Sequence, residues 1–253
     1  MARKNYGWKR SLPDHRDFIY SPPTHLMAAT LPSSVDLRPN CAPILDQGNL
    51  GSCTANAISS LIEFLIKKEK KSFYYISRLF IYYQERVLEG TIRYDAGAEI
   101  RDGMKVVSKL GAPHESFWPY IISRFAIKPS PSAYKDGLKH LVTQYQKIDN
   151  TKINDMKSCL ASGYPIVGGF SVFELFESDY VAETGMVPYP APDEQLLGGH
   201  AILVVGYDDS IQRFICQNSW GTSWGDHGFF YMPYAYFVNP TLADDFWTAT
   251  LAI

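Results

Sequence analysis

Four cysteines in 253 residues, at positions 41, 53, 159 and 216, are too few for a disulfide-dense scaffold. No two of them have the Cys-x-x-Cys spacing of a zinc or redox site, so each is read as an individual thiol. The chain also lacks any apolar run approaching the roughly eighteen residues of a membrane span. Its first residues, Met1-Ala-Arg-Lys-Asn-Tyr, carry the charge of a signal peptide without the hydrophobic segment. Unless a leader has been removed, the sequence is addressed neither to a bilayer nor to the Sec route, and a cytoplasmic protein or one exported by a non-Sec route is expected. There is no charge excess either: 24 basic residues face 26 acidic ones. That balance offers no surface for a nucleic acid or an anionic membrane. The six histidines, at 15, 25, 114, 140, 200 and 227, show no metal-ligand spacing, so neither a metal nor a cofactor is expected. Internal repeats and low-complexity tracts are absent as well.

What is present is a chain with 46% hydrophobic residues, long enough to bury a substantial core. The first thirty residues, polar and interrupted by Pro13, Pro22 and Pro23, read as an arm. From Cys53 the residues Ile58, Leu61, Ile62, Leu65 and Ile66 follow i, i+3, i+4, i+7 and i+8, one stripe of an amphipathic helix with Cys53 in its first turn. Lys67, Lys68, Lys70 and Lys71 then complement the negative end of that helix. Further helices are expected over about 78–88 and over a stretch carrying Ile100, Met104, Val107 and Leu110, stopped by Gly111 and Pro113. Beyond Pro129 and Pro131 the pattern changes. One short helix, about 155–161, is followed by short strands over 166–172, 201–207, 213–217 and 229–232. The organisation expected is an arm to residue 30, a mainly helical part over 31–140 and a β-rich part over 141–253. A cleft between two such parts is a natural place for a site.

The chemistry concentrates in Gln47-Gly48-Asn49-Leu50-Gly51-Ser52-Cys53-Thr54-Ala55. A thiol at a helix start is exposed to unpaired N–H groups and the positive end of the dipole, both of which favour the nucleophilic thiolate. Gly51 and Ser52 leave room for a substrate backbone. A lone cysteine is more often inert and buried, so partners matter. His200, in Leu197-Gly198-Gly199-His200-Ala201-Ile202, stands at the edge of an apolar strand. Asn218, in Cys216-Gln217-Asn218-Ser219-Trp220-Gly221, follows another. A side-chain carbonyl there can accept the second ring N–H of His200 and aim the imidazole without adding charge.

Four separate stretches together resemble the papain-like (C1-type) cysteine peptidases over nearly all of the chain from about Leu31. These are Val35-Asp36-Leu37-Arg38, Gln47-Gly48 with Gly51-Ser52-Cys53, the Gly-His-Ala run with Val205-Gly206-Tyr207, and Asn218-Ser219-Trp220-Gly221 with Trp224-Gly225. His200 lies 147 residues after Cys53, inside the roughly 130–150 window of papain-type enzymes, while Asn218 lies slightly beyond it. The resemblance implies an α+β fold, with a helical left domain, an antiparallel β-barrel right domain and an active cleft between them. It implies peptide-bond hydrolysis of a peptide or protein substrate through an acyl-enzyme, with Cys53 as nucleophile, His200 as proton partner and Asn218 as its orienter. Gln47 then shares the oxyanion hole with the Cys53 N–H, and Trp220 covers the His–Asn bond. Gly97 and Ala98, in Asp95-Ala96-Gly97-Ala98, align with a segment that binds substrate backbone. Gly199, where relatives are often polar, belongs to the specificity environment.

The departures are informative. The family's Cys-Gly-Ser-Cys-Trp reads Leu50-Gly51-Ser52-Cys53-Thr54 here, so a disulfide partner is missing, which suits a reducing compartment. With Trp118-Pro119-Tyr120 and Asp245-Phe246-Trp247, these features look closer to bacterial members similar to xylellain than to lysosomal cathepsins. The arm is too short for the usual folded propeptide, and two roles stay open for residues 1 to about 30, including Trp8, Arg10 and His15: packing across or beside the cleft to restrain activity, or only adding packing to the right domain. A non-catalytic binding module and an acyl transferase are the competing readings. The first conflicts with four filled catalytic positions, and the second turns on which acceptor resolves the acyl-enzyme.

Overall fold

The computed structural model describes residues 5–27 and 31–251, except the side chains of His25, Met27 and Leu251. Residues 1–4 and 28–30 of the expected arm, and the last two of the chain, lie outside that description. In chain order the elements begin with β1 (Trp8–Lys9), α1 (Thr24–Met27), β2 (Ser34–Asp36), α2 (Cys53–Lys68) and α3 (Arg78–Leu88). Then come β3 (Ala98–Glu99), α4 (Ile100–Lys109), α5 (Pro131–Gly137), β4 (Val142–Ile148), α6 (Ile153–Ala161) and β5 (Ile166–Phe173). The last are α7 (Asp179–Thr184), β6 (Leu196–Asp208), β7 (Arg213–Gln217), β8 (Phe229–Pro233), α8 (Tyr234–Phe237) and β9 (Ala243–Leu251).

Helix α2 starts at Cys53, as the apolar spacing predicts, but it is not a surface helix with one buried stripe. Every residue from Cys53 to Ile66 is buried. Most of its polar positions survive burial by finding a partner. Thr54 Oγ1 donates to Glu85 Oε2 at 2.9 Å, Asn56 Nδ2 donates to the Ser52 carbonyl at 2.9 Å, and Glu63 Oε1 accepts the Ile76 N–H at 2.9 Å. The lysines at the C-terminus reach carbonyls instead of one another: Lys67 Nζ donates to Cys41 O and Lys68 Nζ to Gly163 O. One face of α2 packs on α3 and α4, and Ala201, Leu203 and Val205 of β6 join the same apolar cluster. The helix is thus clamped between the other helices and the sheet.

The sheet is antiparallel throughout and runs β4-β9-β5-β6-β7-β8, with β2 pairing β6 on the side. Among the described residues β4 and β8 do not pair, so the antiparallel barrel of the α+β fold is an open, seven-stranded sheet. Long β6 is its centre: it carries β5 and β7 on its two edges and takes β2 at its far end. Two strands, β4 and β9, and the short helices α5, α7 and α8 went unanticipated beyond residue 129. In α5 the Ser130 hydroxyl accepts the Ala133 N–H and Pro131 occupies the first turn, a start signal hidden by reading the prolines only as a loop.

Candidate active site

Cys53 is the first residue of α2, after Ser52, and its side chain is wholly buried. The N–H groups of Ala201, Gly7 and Thr54 point at its sulfur, which places the thiol against the residue following His200 on β6. On that strand the His200 ring is held from two sides. Its Nε2 lies 2.8 Å from Asn218 Oδ1, and the Trp220 indole covers it with ring centroids 5.0 Å apart. The same Oδ1 accepts the Ser219 N–H at 2.8 Å, which fixes that atom as the oxygen. His200 Nε2 must therefore carry the proton, leaving Nδ1 as the basic nitrogen of the neutral ring. Asn218 itself is anchored by its own N–H to Gly228 O at 2.9 Å.

Gln47 is oriented with similar economy. Ser219 Oγ donates to its Oε1 at 2.7 Å, so its Nε2 turns toward the loop before α2, donating to Leu50 O at 3.0 Å and to Asn5 O at 3.3 Å. Ser219 was legible only as part of a motif; its hydroxyl is what decides which way the Gln47 amide faces. Tyr120, from the Trp-Pro-Tyr stretch, donates to the Gln47 carbonyl at 2.8 Å and meets Ser52 Oγ at 2.6 Å. The Ser52 hydroxyl is thereby engaged by Tyr120 and Asn56.

The space over the thiol is filled by the arm. Asn5 Nδ2 donates to Asn49 O at 2.6 Å, and Gly7 lies so close to Gly51 that a Cβ on it would meet Gly51 O at 1.8 Å. Strand β1 pairs in parallel with β3, the Ala98 N–H donating to Gly7 O at 2.7 Å. Gly97 and Ala98 thus lie against the backbone of residues 7–9. Gly97 is held at φ 69°, and a Cβ there would collide with Gly7 O at 2.1 Å, so both the left-handed backbone and the close approach need glycine. Asp95 underpins this rim by accepting the Gly51 N–H at 3.0 Å.

Trp8 fills the adjoining hollow. A Cβ at Gly169 would sit 2.1 Å from its ring and one at Gly199 2.4 Å from its carbonyl, while its indole N–H donates to Asp245 Oδ2 at 3.2 Å. The Ser11 N–H reaches the same oxygen at 2.8 Å. Tyr6 packs on Trp220 and His200 and donates to Glu177. Arg10 is held outside the hollow by Pro240 O, and His15 is exposed, so neither touches the thiol. Farther on, Asp17 makes a bidentate pair with buried Arg101, and Phe18 and Tyr20 exchange backbone bonds with Lys147. Asp245, legible beforehand only as part of an unassigned Asp-Phe-Trp, is the acidic floor of this hollow.

Burial under the arm pushes the Cys53 thiol up to about 11, against the opposing N–H groups of Ala201, Gly7 and Thr54. With the arm in place, burial favours the neutral thiol. All four cysteines are free, and Cys41, Cys159 and Cys216 are raised by burial too.

Residues 31–240 match the model of the papain family cysteine proteases. The chain belongs to the papain family. It is 41% identical to a peptidase C1-like protein of Acanthamoeba polyphaga mimivirus, over 96% of this chain and 86% of that one. The crystal structure of xylellain, a cysteine protease from Xylella fastidiosa, superposes with a TM-score of 0.91 at 42% identity, covering 99% of this chain and 97% of that one. At 18% identity, procathepsin B S9 from Trypanosoma congolense shares the fold with a TM-score of 0.76, over 94% of this chain and 84% of that one. This papain-family chain is thus a cysteine-type peptidase acting on peptide or protein substrates, and its kinship to xylellain is the one the motifs indicated.

Proposed function

We propose that peptide-bond hydrolysis runs through Cys53, His200, Asn218 and Gln47, and that the arm holds the site in a resting state. The observation that carries this reading is the convergence of Cys53 on the residue beside His200, with His200 Nε2 already committed to Asn218 at 2.8 Å. Nδ1 of His200 then takes the thiol proton, and the sulfur attacks the scissile carbonyl carbon. The carbonyl oxygen becomes an oxyanion held by the Gln47 amide and the Cys53 N–H. His200 returns its proton to the leaving amine, and water, deprotonated by the same ring, releases the acyl group from sulfur. Gly51, Gly97, Ala98 and Gly199 supply the backbone surface for substrate, the role they play toward residues 7–9.

The arm is an occupant and not a substrate on this reading. The Gly7 N–H faces the sulfur, and the Gly7 carbonyl is held by the Ala98 N–H. The helix-rich stretch before residue 140 and the β-rich stretch after it form the two walls of the cleft. Neither an anionic lipid surface nor a nucleic acid is a partner in this account; among the described residues no helix is long and apolar enough to cross a membrane. A bacterial origin is supported by the likeness to xylellain, and the mimivirus relative at nearly equal identity shows that the architecture is not confined to bacteria. Initial rates on a general peptide substrate test the assignment. Cys53→Ala lowers turnover by on the order of 10⁴ or more, and Gln47→Ala by roughly 10²–10³. Parent-level activity in either variant removes that residue from the mechanism.

A further inference from the structure

Spacing along the chain gave no reason to expect a metal site, yet the fold gathers His114, Asp136 and His140. One ligand atom from each lies within 4.8 Å of the others. The three come from different segments: the turn that bridges Ile76, helix α5, and the chain about to enter β4. Asp136 is buried and already positioned, accepting the His114 N–H at 3.0 Å through Oδ2 and Lys139 Nζ at 3.1 Å through Oδ1. His140 Nε2 is buried, makes no hydrogen bond, and points to within 3.8 Å of Asp136 Oδ2. Its other nitrogen, Nδ1, is 2.8 Å from the Tyr74 hydroxyl. The His114 ring stacks on Tyr74 with centroids 3.7 Å apart and borders an open groove of about 640 Å³.

We propose that His114, Asp136 and His140 form a divalent transition-metal site, best suited to Zn²⁺, which ties these three segments together. Two imidazoles and one carboxylate are a borderline-soft donor set, and zinc accepts three protein ligands with water in the fourth position. Bond lengths of about 2.0–2.2 Å require the donors to close up by roughly 1–1.5 Å, a side-chain adjustment. Tyr74 takes the part of an outer partner: accepting the Nδ1–H of His140, it fixes the tautomer that leaves Nε2 to the metal. The nearby cations are Lys139 and Lys71; Lys139 is largely exposed and free to swing away. This site stands independently of the peptidase chemistry.

The test uses the full chain carrying Cys53→Ser, so that the active-site thiol cannot hold the metal. Equilibrium dialysis against Zn²⁺ followed by elemental analysis gives one equivalent bound, and zinc at a hundredfold excess over its dissociation constant raises Tm by about 5–10 °C. His114→Gln and His140→Gln each abolish both effects. Tyr74→Phe weakens binding about 10–100-fold while leaving the stoichiometry at one. Since each variant is compared with and without zinc, a loss of intrinsic stability does not mimic the result. Binding that is absent from the Cys53→Ser protein, or that persists unchanged in both histidine variants, overturns the proposal.

Discussion

Replacing Trp8 by alanine separates the restraint from the chemistry. The indole is 8% exposed, lies against Gly169 and Gly199, and donates to Asp245 at 3.2 Å. Truncating a core tryptophan costs about 3–5 kcal/mol. Even about 3 kcal/mol, lost only from the docked arm, shifts the covered–uncovered equilibrium by roughly 150-fold. The assay is the second-order rate of Cys53 alkylation by iodoacetamide at pH 7, read by mass spectrometry beside peptide turnover and near-UV circular dichroism. A thiol held at about 11 is ionised in roughly one molecule in 10⁴ at neutrality. Uncovering it raises both accessibility and thiolate fraction, so alkylation and turnover increase by about 10² together. Deleting the arm outright is a poorer experiment. It would strip Asp17 from Arg101, whose side chain is 6% exposed, and leave a buried guanidinium uncompensated at about 3–5 kcal/mol. If Trp8→Ala keeps its native spectrum and alkylates at the parental rate, the arm is not what buries the thiol.

The remaining expectations follow from the same contacts. Because the covered thiol titrates near 11 and an ordinary one near 8.5, arm docking is fully present below about pH 8.5 and weakens about tenfold per pH unit up to about 11; hydrogen exchange of the Ala98 amide, bonded to Gly7, follows it. Ser219→Ala frees the Gln47 amide to rotate and lowers kcat about 3–10-fold with little change in KM, as expected for one positioning hydrogen bond; an unchanged kcat removes Ser219 from the oxyanion machinery. Buried Glu63 is raised to about 8, chiefly by desolvation, so the folded state binds its proton more tightly than the unfolded chain. Stability from this group is full below about pH 4 and declines by a few kcal/mol as pH rises to about 8. Urea melts of Glu63→Gln show a shallower decline over that window than the parent, and parallel curves contradict the buried carboxyl.

The proposed catalytic residues are legible because their chemistry is written into local sequence: a thiol opening a helix, a histidine at the edge of an apolar strand, an asparagine after the next strand. Helix α3 and strand β7 were equally plain, since their apolar spacing and their stop signals agree. What escaped notice depends on partners distant in the chain. Strand β9 is read as a strand only once β4 and β5 flank it. The zinc candidate exists only because α5 brings Asp136 back over His114. The burial of the Cys53 thiol is hidden from local sequence for the same reason. A helix start argues for a thiolate, but the side that decides it is an arm more than forty residues upstream in the sequence.

The most direct measurement of the central claim is the site of covalent capture by a thiol-directed epoxide at neutral pH, mapped in Trp8→Ala and in Trp8→Ala with His200→Ala. The account predicts a single adduct on Cys53 in the first protein and a rate at least tenfold lower in the second. An adduct on Cys41, Cys159 or Cys216, or a Cys53 rate indifferent to His200, would contradict it.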